Sequence, residues 1–124
     1  MKDSLAELYD ISKLSVELDG WMTSNGYKKY CSEISKEAQE IIGALENEDT
    51  DNLKEELGDV FMDLMAACLL AEKEGKFSSK EVVEGAISKI RRRRPYLEKG
   101  QKVTEEESVK IWMEAKEKEK KRKG

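Results

Sequence analysis

The sequence predicts an all-α protein: a helical bundle of four to five helices with an antiparallel pair at its centre. Three observations carry this. Apolar residues recur three and four positions apart along most of the chain. Charged residues make up 40% of it and aromatics 6%. There is one proline. A β-sandwich would need frequent turn residues and β-branched runs, which are missing. The hydrophobic fraction is 38% of 124 residues, and a short chain buries proportionally little of its surface. The helices are therefore expected to complete their core by oligomerisation, as a homodimer or homotetramer.

The elements follow in order. Leu5, Leu8, Ile11, Leu14 and Leu18 share helical spacing and define a first helix ending near Gly20. Trp21–Gly26 reads as a loop, because Ser24-Asn25-Gly26 is a turn signal. A second helix carries Ile34, Ala38, Ile41, Ile42 and Leu45 on one face and stops before the polar connection Asn47–Asp51. A connection that short suits an antiparallel hairpin. The third helix runs from about Asn52 to Gly75, with Leu53, Leu57, Val60, Phe61, Leu64, Cys68 and Ala71 expected to face inward. Ser78 and Glu81 form a capping box for a fourth helix, which Pro95 must end near Arg94. Thr104 and Glu107 form a second box, opening a last helix through Ile111 and Trp112. Residues 1–116 are expected to form one domain, and 117–124 a basic tail that frays.

Composition excludes several classes. Histidine is absent, and neither Cys31 nor Cys68 belongs to a CxxC, so a Cys/His zinc site is ruled out. Both thiols sit in apolar stretches and are expected to be free and buried. No basic start followed by an apolar block marks a signal peptide. The longest apolar run, Leu64 to Ala71, is far shorter than the roughly 20 residues that span a bilayer. A cytoplasmic protein without membrane contact is expected. The net charge of −4 hides clustering: bases gather at Arg91–Arg94 and Lys116–Lys123, acids between Glu33 and Glu74. An acidic centre and negative total charge speak against a nucleic-acid partner, which would bind with steep salt dependence.

The acids have a pattern. On a wheel of about 100° per residue, Glu37 and Glu40 border the apolar stripe of the second helix, and Glu56 and Asp59 border that of the third. Each pair is spaced i, i+3, on one face of its helix. If the two helices pack antiparallel through their stripes, four carboxylates converge at the edge of the core. Such a group repels itself unless protonated, spread apart or bound to a cation. All-oxygen donors suit Mg²⁺, or Mn²⁺ in its place. Solvated helix edges are the alternative in so charged a chain. Glu33 and Asp63 lie on the same edges.

The wider order of motifs is more specific. Glu37-Ala38-Gln39-Glu40, then Glu56-Leu57-Gly58-Asp59, resembles the E-E-x-x-E and E-x-x-D metal signature of the MazG family of nucleoside triphosphate pyrophosphohydrolases. Ala71–Phe77 is similar to that family's A-x-x-E-G-x-F segment, and Lys89–Tyr96 to its K-[LI]-x-R-R-[HR]-P-[HY]. Trp112 and Lys116 match its W-x-x-x-K element. The likeness runs in consistent order from about Gly20 to Lys120. Lys36 departs from it, standing where the first signature Glu is usual, and is placed to pair with Glu40. Trp21 stands where many members carry C-P-W-D, with Asn25-Gly26-Tyr27 in place of Q-T-H.

The resemblance implies hydrolysis of an NTP or dNTP to the monophosphate and pyrophosphate, with non-standard nucleotides a reasonable class. It assigns Mg²⁺ to Glu37, Glu40, Glu56 and Asp59, and leaves Glu37 or Glu33 to orient the attacking water. Lys89 and Arg93 match phosphate contacts; Trp112 and Lys116, one turn apart, are placed to stack on the base and to reach phosphate, with a core role for Trp112 the alternative, and Trp21 stands where selectivity for base or sugar is expected. The alternatives are a dUTP, dCTP or phosphoribosyl-ATP pyrophosphohydrolase of the same helical superfamily, and a helical interaction protein without catalysis.

Overall fold

The structure, a computed structural model, describes residues 1–123. Its helices are α1 (Lys2–Leu18), α2 (Gly20–Glu46), α3 (Thr50–Lys73), α4 (Ser79–Arg93) and α5 (Glu105–Lys123), with a 3₁₀ turn at Pro95–Leu97. No strand occurs among the described residues. None of these helices is long and apolar enough to cross a membrane. The chain divides into two compact units, Met1–Ser79 and Lys80–Gly124.

Asp19 both closes α1 and opens α2. Its extended backbone breaks the helix, its N–H donates to Ser15 O at 2.8 Å, and its Oδ1 accepts from Trp21 N at 2.9 Å. A carboxylate in this place satisfies N–H groups that lack intrahelical partners. Helix therefore occupies most of the segment expected to be a loop. The turn signal marks a single-residue break: Gly26 takes φ 75°, ψ −178°, a conformation open essentially to glycine, and helix resumes at Tyr27.

α2 and α3 form the hairpin at the centre of the first unit, and α1 packs against both. Asp49 Oδ1 caps α3 through Asn52 N at 3.1 Å, while Asn47 N and Asp49 N return to Gly43 O and Ala44 O. The core comprises Val16, Met22, Ala66, Leu69 and Leu70, with Tyr9, Tyr27, Tyr30 and Met65 packed against it. Ala44, Ala67 and Ala71 are buried as well. Leu70, 1% exposed, contributes roughly 1.5–3 kcal/mol by burial.

The inward face differs from the one expected. On α1, Val16 is buried while Ile11, Leu14 and Leu18 are exposed, Leu18 by 75%. On α2, Ile42 and Leu45 are exposed and Ala44 is buried. On α3, Leu57, Phe61 and Leu64 are about half exposed, while Ala66, Ala67, Leu69, Leu70 and the expected Ala71 are buried. Several buried positions, Ala44, Ala66 and Ala67 among them, are thus alanines, whose hydrophobic signal in the sequence is weak. Cys31 is exposed and Cys68 partly buried, both free, against the expectation of two buried thiols.

In the second unit, Pro95 ends α4 where the sequence requires, with Arg94 N donating to Ile90 O at 2.8 Å. The Thr104 box is complete: Glu107 N donates to Thr104 Oγ1 at 3.2 Å and Thr104 N to Glu107 Oε1 at 3.3 Å. α5 stays helical through Lys123, past the point where fraying was expected; Gly124 lies outside the described residues.

Candidate metal centre

The antiparallel hairpin brings together the four acids that the wheel placed along its edge. One carboxylate oxygen from each of Glu37, Glu40, Glu56 and Asp59 lies within 4.8 Å of all the others. α2 contributes the first two and α3 the last two. Glu40 is exposed; the other three are partly buried.

The group is electrostatically incomplete as it stands. Glu37 Oε2 and Glu56 Oε2 are buried and meet no hydrogen-bond donor. A proton shared with Glu40, and then with Glu37, holds the Glu56 carboxyl up at about 8, helped by burial and by both neighbouring charges. A bond from Glu56 pulls Glu37 down, but burial, Glu40 and Asp59 outweigh it and raise it overall. Neutralising such a group takes protons or a cation. Ligands at 2.0–2.1 Å from Mg²⁺ put opposite oxygens about 4.2 Å apart, so small side-chain adjustments bring these four oxygens to ligating distance. The oxygen-only donor set and the two orphaned atoms fit a hard divalent ion.

Glu33 stands outside the cluster. Lys29 Nζ lies 3.0 Å and Lys36 Nζ 3.3 Å from its Oε1, and the bond from Lys29, then that from Lys36, holds its carboxyl below the usual range. Lys36 thus reaches back three residues to Glu33 instead of forward to Glu40. Asp63 is raised, first by burial and then by Glu33 and Asp59. Burial, then Asp19, Asp63 and Glu33, raises the Tyr30 phenol. Tyr30 meets the exposed Trp21 edge to face, ring centroids 6.2 Å apart. No sequence spacing pointed to Tyr30 as the residue between Trp21 and the acidic edge.

Lys89, Arg93, Trp112 and Lys116 belong to the second unit. Arg93 and Trp112 occupy one another: the guanidinium carbon is 4.7 Å from the ring centroid, and that of Arg94 is 5.0 Å away. Arg93 Nε also donates to Glu119 Oε2 at 3.0 Å, and Arg92 Nη2 to Glu119 Oε1 at 2.7 Å. Lys89 and Lys116 are exposed. Glu119 escaped the sequence reading because its partners lie 26 and 27 residues away, beyond any local rule.

The fold and this centre define an all-α domain with four carboxylates gathered on a helical hairpin. The family model of the MazG nucleotide pyrophosphohydrolase domain matches residues 25–98, a span that holds all four acids together with Lys89 and Arg93. The chain belongs to that family. It is 36% identical over 91 residues to the uncharacterised protein YabN of Bacillus subtilis, covering 73% of this chain and 18% of that one. It is 31% identical over 81 residues to the nucleoside triphosphate pyrophosphohydrolase/pyrophosphatase MazG of Thermotoga maritima, covering 65% of this chain and 31% of that one. The chain thus spans between about a fifth and a third of the length of these relatives. The crystal structure of a mazG-related protein from Thermotoga maritima superposes with a TM-score of 0.83 at 26% identity, covering 90% of this chain and 98% of that one.

Proposed function

We propose that this chain hydrolyses nucleoside triphosphates, NTP or dNTP, to the monophosphate and pyrophosphate with Mg²⁺ at the four-carboxylate centre. The observation that carries the reading is the convergence of Glu37, Glu40, Glu56 and Asp59 within 4.8 Å. Family membership supports the substrate class. Mn²⁺ suits the same donors. A cation bound there supplies neutralising charge to the triphosphate oxygens and acidifies a bound water.

The chain's own residues do the rest. Glu40, Glu56 and Asp59 hold the ion. Glu37 holds it too and is the carboxylate that orients the attacking water, accepting its proton as the oxygen attacks the α-phosphorus. The bond from that phosphorus to the bridging oxygen breaks, and pyrophosphate leaves. Glu33 is the poorer choice for this role because Lys29 and Lys36 already occupy it. Lys89 and Lys116 are exposed cations suited to the phosphates, and Trp21 offers an exposed ring to the nucleoside. Arg93 and Trp112 are the further candidates for contacts to phosphate and to the base. The same reading has the chain working as a homodimer or homotetramer, supported by the exposed Phe61, Met62 and Leu64 on α3.

The test is a pyrophosphate-release screen across standard and modified nucleotides, with and without Mg²⁺. Activity is expected only with the ion, and Glu40→Gln and Asp59→Asn are expected to abolish it with circular dichroism unchanged. Orthophosphate as the sole product, or full turnover in both variants, would overturn the reading.

A further inference from the structure

Three consecutive side chains at the end of α3 each serve a different helix terminus. Glu72 Oε1 accepts from Ser79 N at 2.9 Å. Lys73 Nζ donates to Val16 O, in the last turn of α1, at 3.3 Å. Glu74 Oε2 accepts from Tyr27 N at 3.0 Å.

The third bond bears on the acidic centre. Gly26 breaks α2, so Tyr27 begins the helical run that carries Glu37 and Glu40. A run that restarts at glycine has no side chain of its own to take its first N–H. Glu74 supplies the acceptor from 47 residues away, and its negative charge also suits the positive end of the helix. Glycine keeps the approach open: a Cβ on Gly26 would lie 3.1 Å from Glu74 Oε2. The place of Glu74 is fixed in turn by Gly75, whose φ of 76° turns the chain so that Gly75 N and Lys76 N reach back to Glu72 O and Ala71 O.

We infer that Glu74 is a positioning residue for the centre, setting where the second run of α2 starts and so the register in which Glu37 and Glu40 meet Glu56 and Asp59. Glu74 follows directly on α3, which carries the latter pair, so one hydrogen bond ties the two halves together at the end remote from the hairpin turn. It touches neither substrate nor ion. Losing a group that orients metal ligands from outside the coordination sphere typically weakens metal binding about tenfold or more. The inference rests on the Mg²⁺ reading of the centre.

Wild type, Glu74→Ala and Glu74→Gln separate the two. Hydrogen exchange at the Tyr27 amide reports the cap alone, and calorimetric titration with Mg²⁺ reports its consequence. Tyr27 is expected to be protected in wild type and in Glu74→Gln, whose amide oxygen still accepts, and to exchange freely in Glu74→Ala. Mg²⁺ binding is expected to weaken about tenfold in Glu74→Ala and to recover in Glu74→Gln. Unchanged Mg²⁺ affinity in Glu74→Ala with the cap lost would overturn the positioning role. A wild type that binds no Mg²⁺ would overturn the reading beneath it, whatever the amide does. Should Glu74→Ala not fold, the shorter Glu74→Asp is expected to give partial protection and intermediate affinity, and full affinity there would count against the inference.

Discussion

The guanidinium carbon of Arg93 lies 4.7 Å from the centroid of the Trp112 ring. Contacts of this kind hold a cation on the electron-rich ring face, and Glu119 holds the same cation from its edge. Two residues that match substrate contacts by resemblance are thus satisfied by each other. A change in either therefore alters how the other meets a nucleotide. Trp112→Leu is expected to leave Arg93 with Glu119 alone and so to change KM for the nucleotide by severalfold, with less change in kcat. Steady-state kinetics on both parameters would decide, and a loss confined to kcat would contradict it.

Bonds from Arg92, then Arg93, pull the Glu119 carboxyl down to about 2 from an ordinary 4.5. A value lowered by folding means that the clasp stabilises fully above about pH 4.5 and loses its contribution as pH falls toward 2. The gap in melting temperature between wild type and Glu119→Gln is expected to be full at neutral pH and to close across that acid window. A gap that stays constant throughout would place its source elsewhere.

Glu56 behaves in the opposite sense. With its carboxyl at about 8, the folded chain keeps a proton that the unfolded chain has released above about pH 4.5. Stability of metal-free protein is therefore expected to fall as pH rises from about 4.5 through about 8. Added Mg²⁺ is expected to reverse the loss at the alkaline end. Thermal melts in chelator and in Mg²⁺, at about pH 5 and about pH 9, check both halves.

Glu37 and Glu33 are separable by substitution. At saturating Mg²⁺, Glu37→Gln is expected to lower kcat by about 10²-fold or more, the usual scale for a positioned base. Glu33→Gln is expected to cost less than about tenfold, since the bonds from Lys29 and Lys36 already engage its carboxylate. Pyrophosphate release measures each, and the reverse order would move the water-orienting role to Glu33.

Thr104→Ala is expected to destabilise the protein by ~1 kcal/mol through loss of the cap on α5. Thr104→Ser keeps the hydroxyl and is expected to recover most of it. Chemical denaturation followed by circular dichroism gives both values.

Local rules carried the sequence reading far where the structure is local. The Thr104–Glu107 box, the stop at Pro95 and the two i, i+3 acid pairs all depend on residues a turn apart, and all stand where spacing placed them. The choice of inward face was not legible. α3 is apolar on more than one side, and periodicity does not say which side is buried; Ala71 is buried as expected, but so are Ala66, Ala67, Leu69 and Leu70, while Phe61 and Leu64 are half exposed. Lys36 had acids within reach in both directions, and spacing alone did not choose Glu33, with which it pairs at 3.3 Å. The helix through Trp21–Asn25 was hidden because its break is a single glycine whose partner, Glu74, lies at the far end of the next helix.

Glu72, Lys73 and Glu74 leave their stretch of chain no slack. Each is bonded to a different helix end, and one residue added or removed just before them would swing all three by about 100° around the axis of α3. The turn at Asn47–Asp49 faces no such constraint, since its side-chain cap is purely local. Changes in chain length among relatives are therefore expected to collect at 47–49 and to be absent from 70–75, a pattern that aligned sequences can check without any assay.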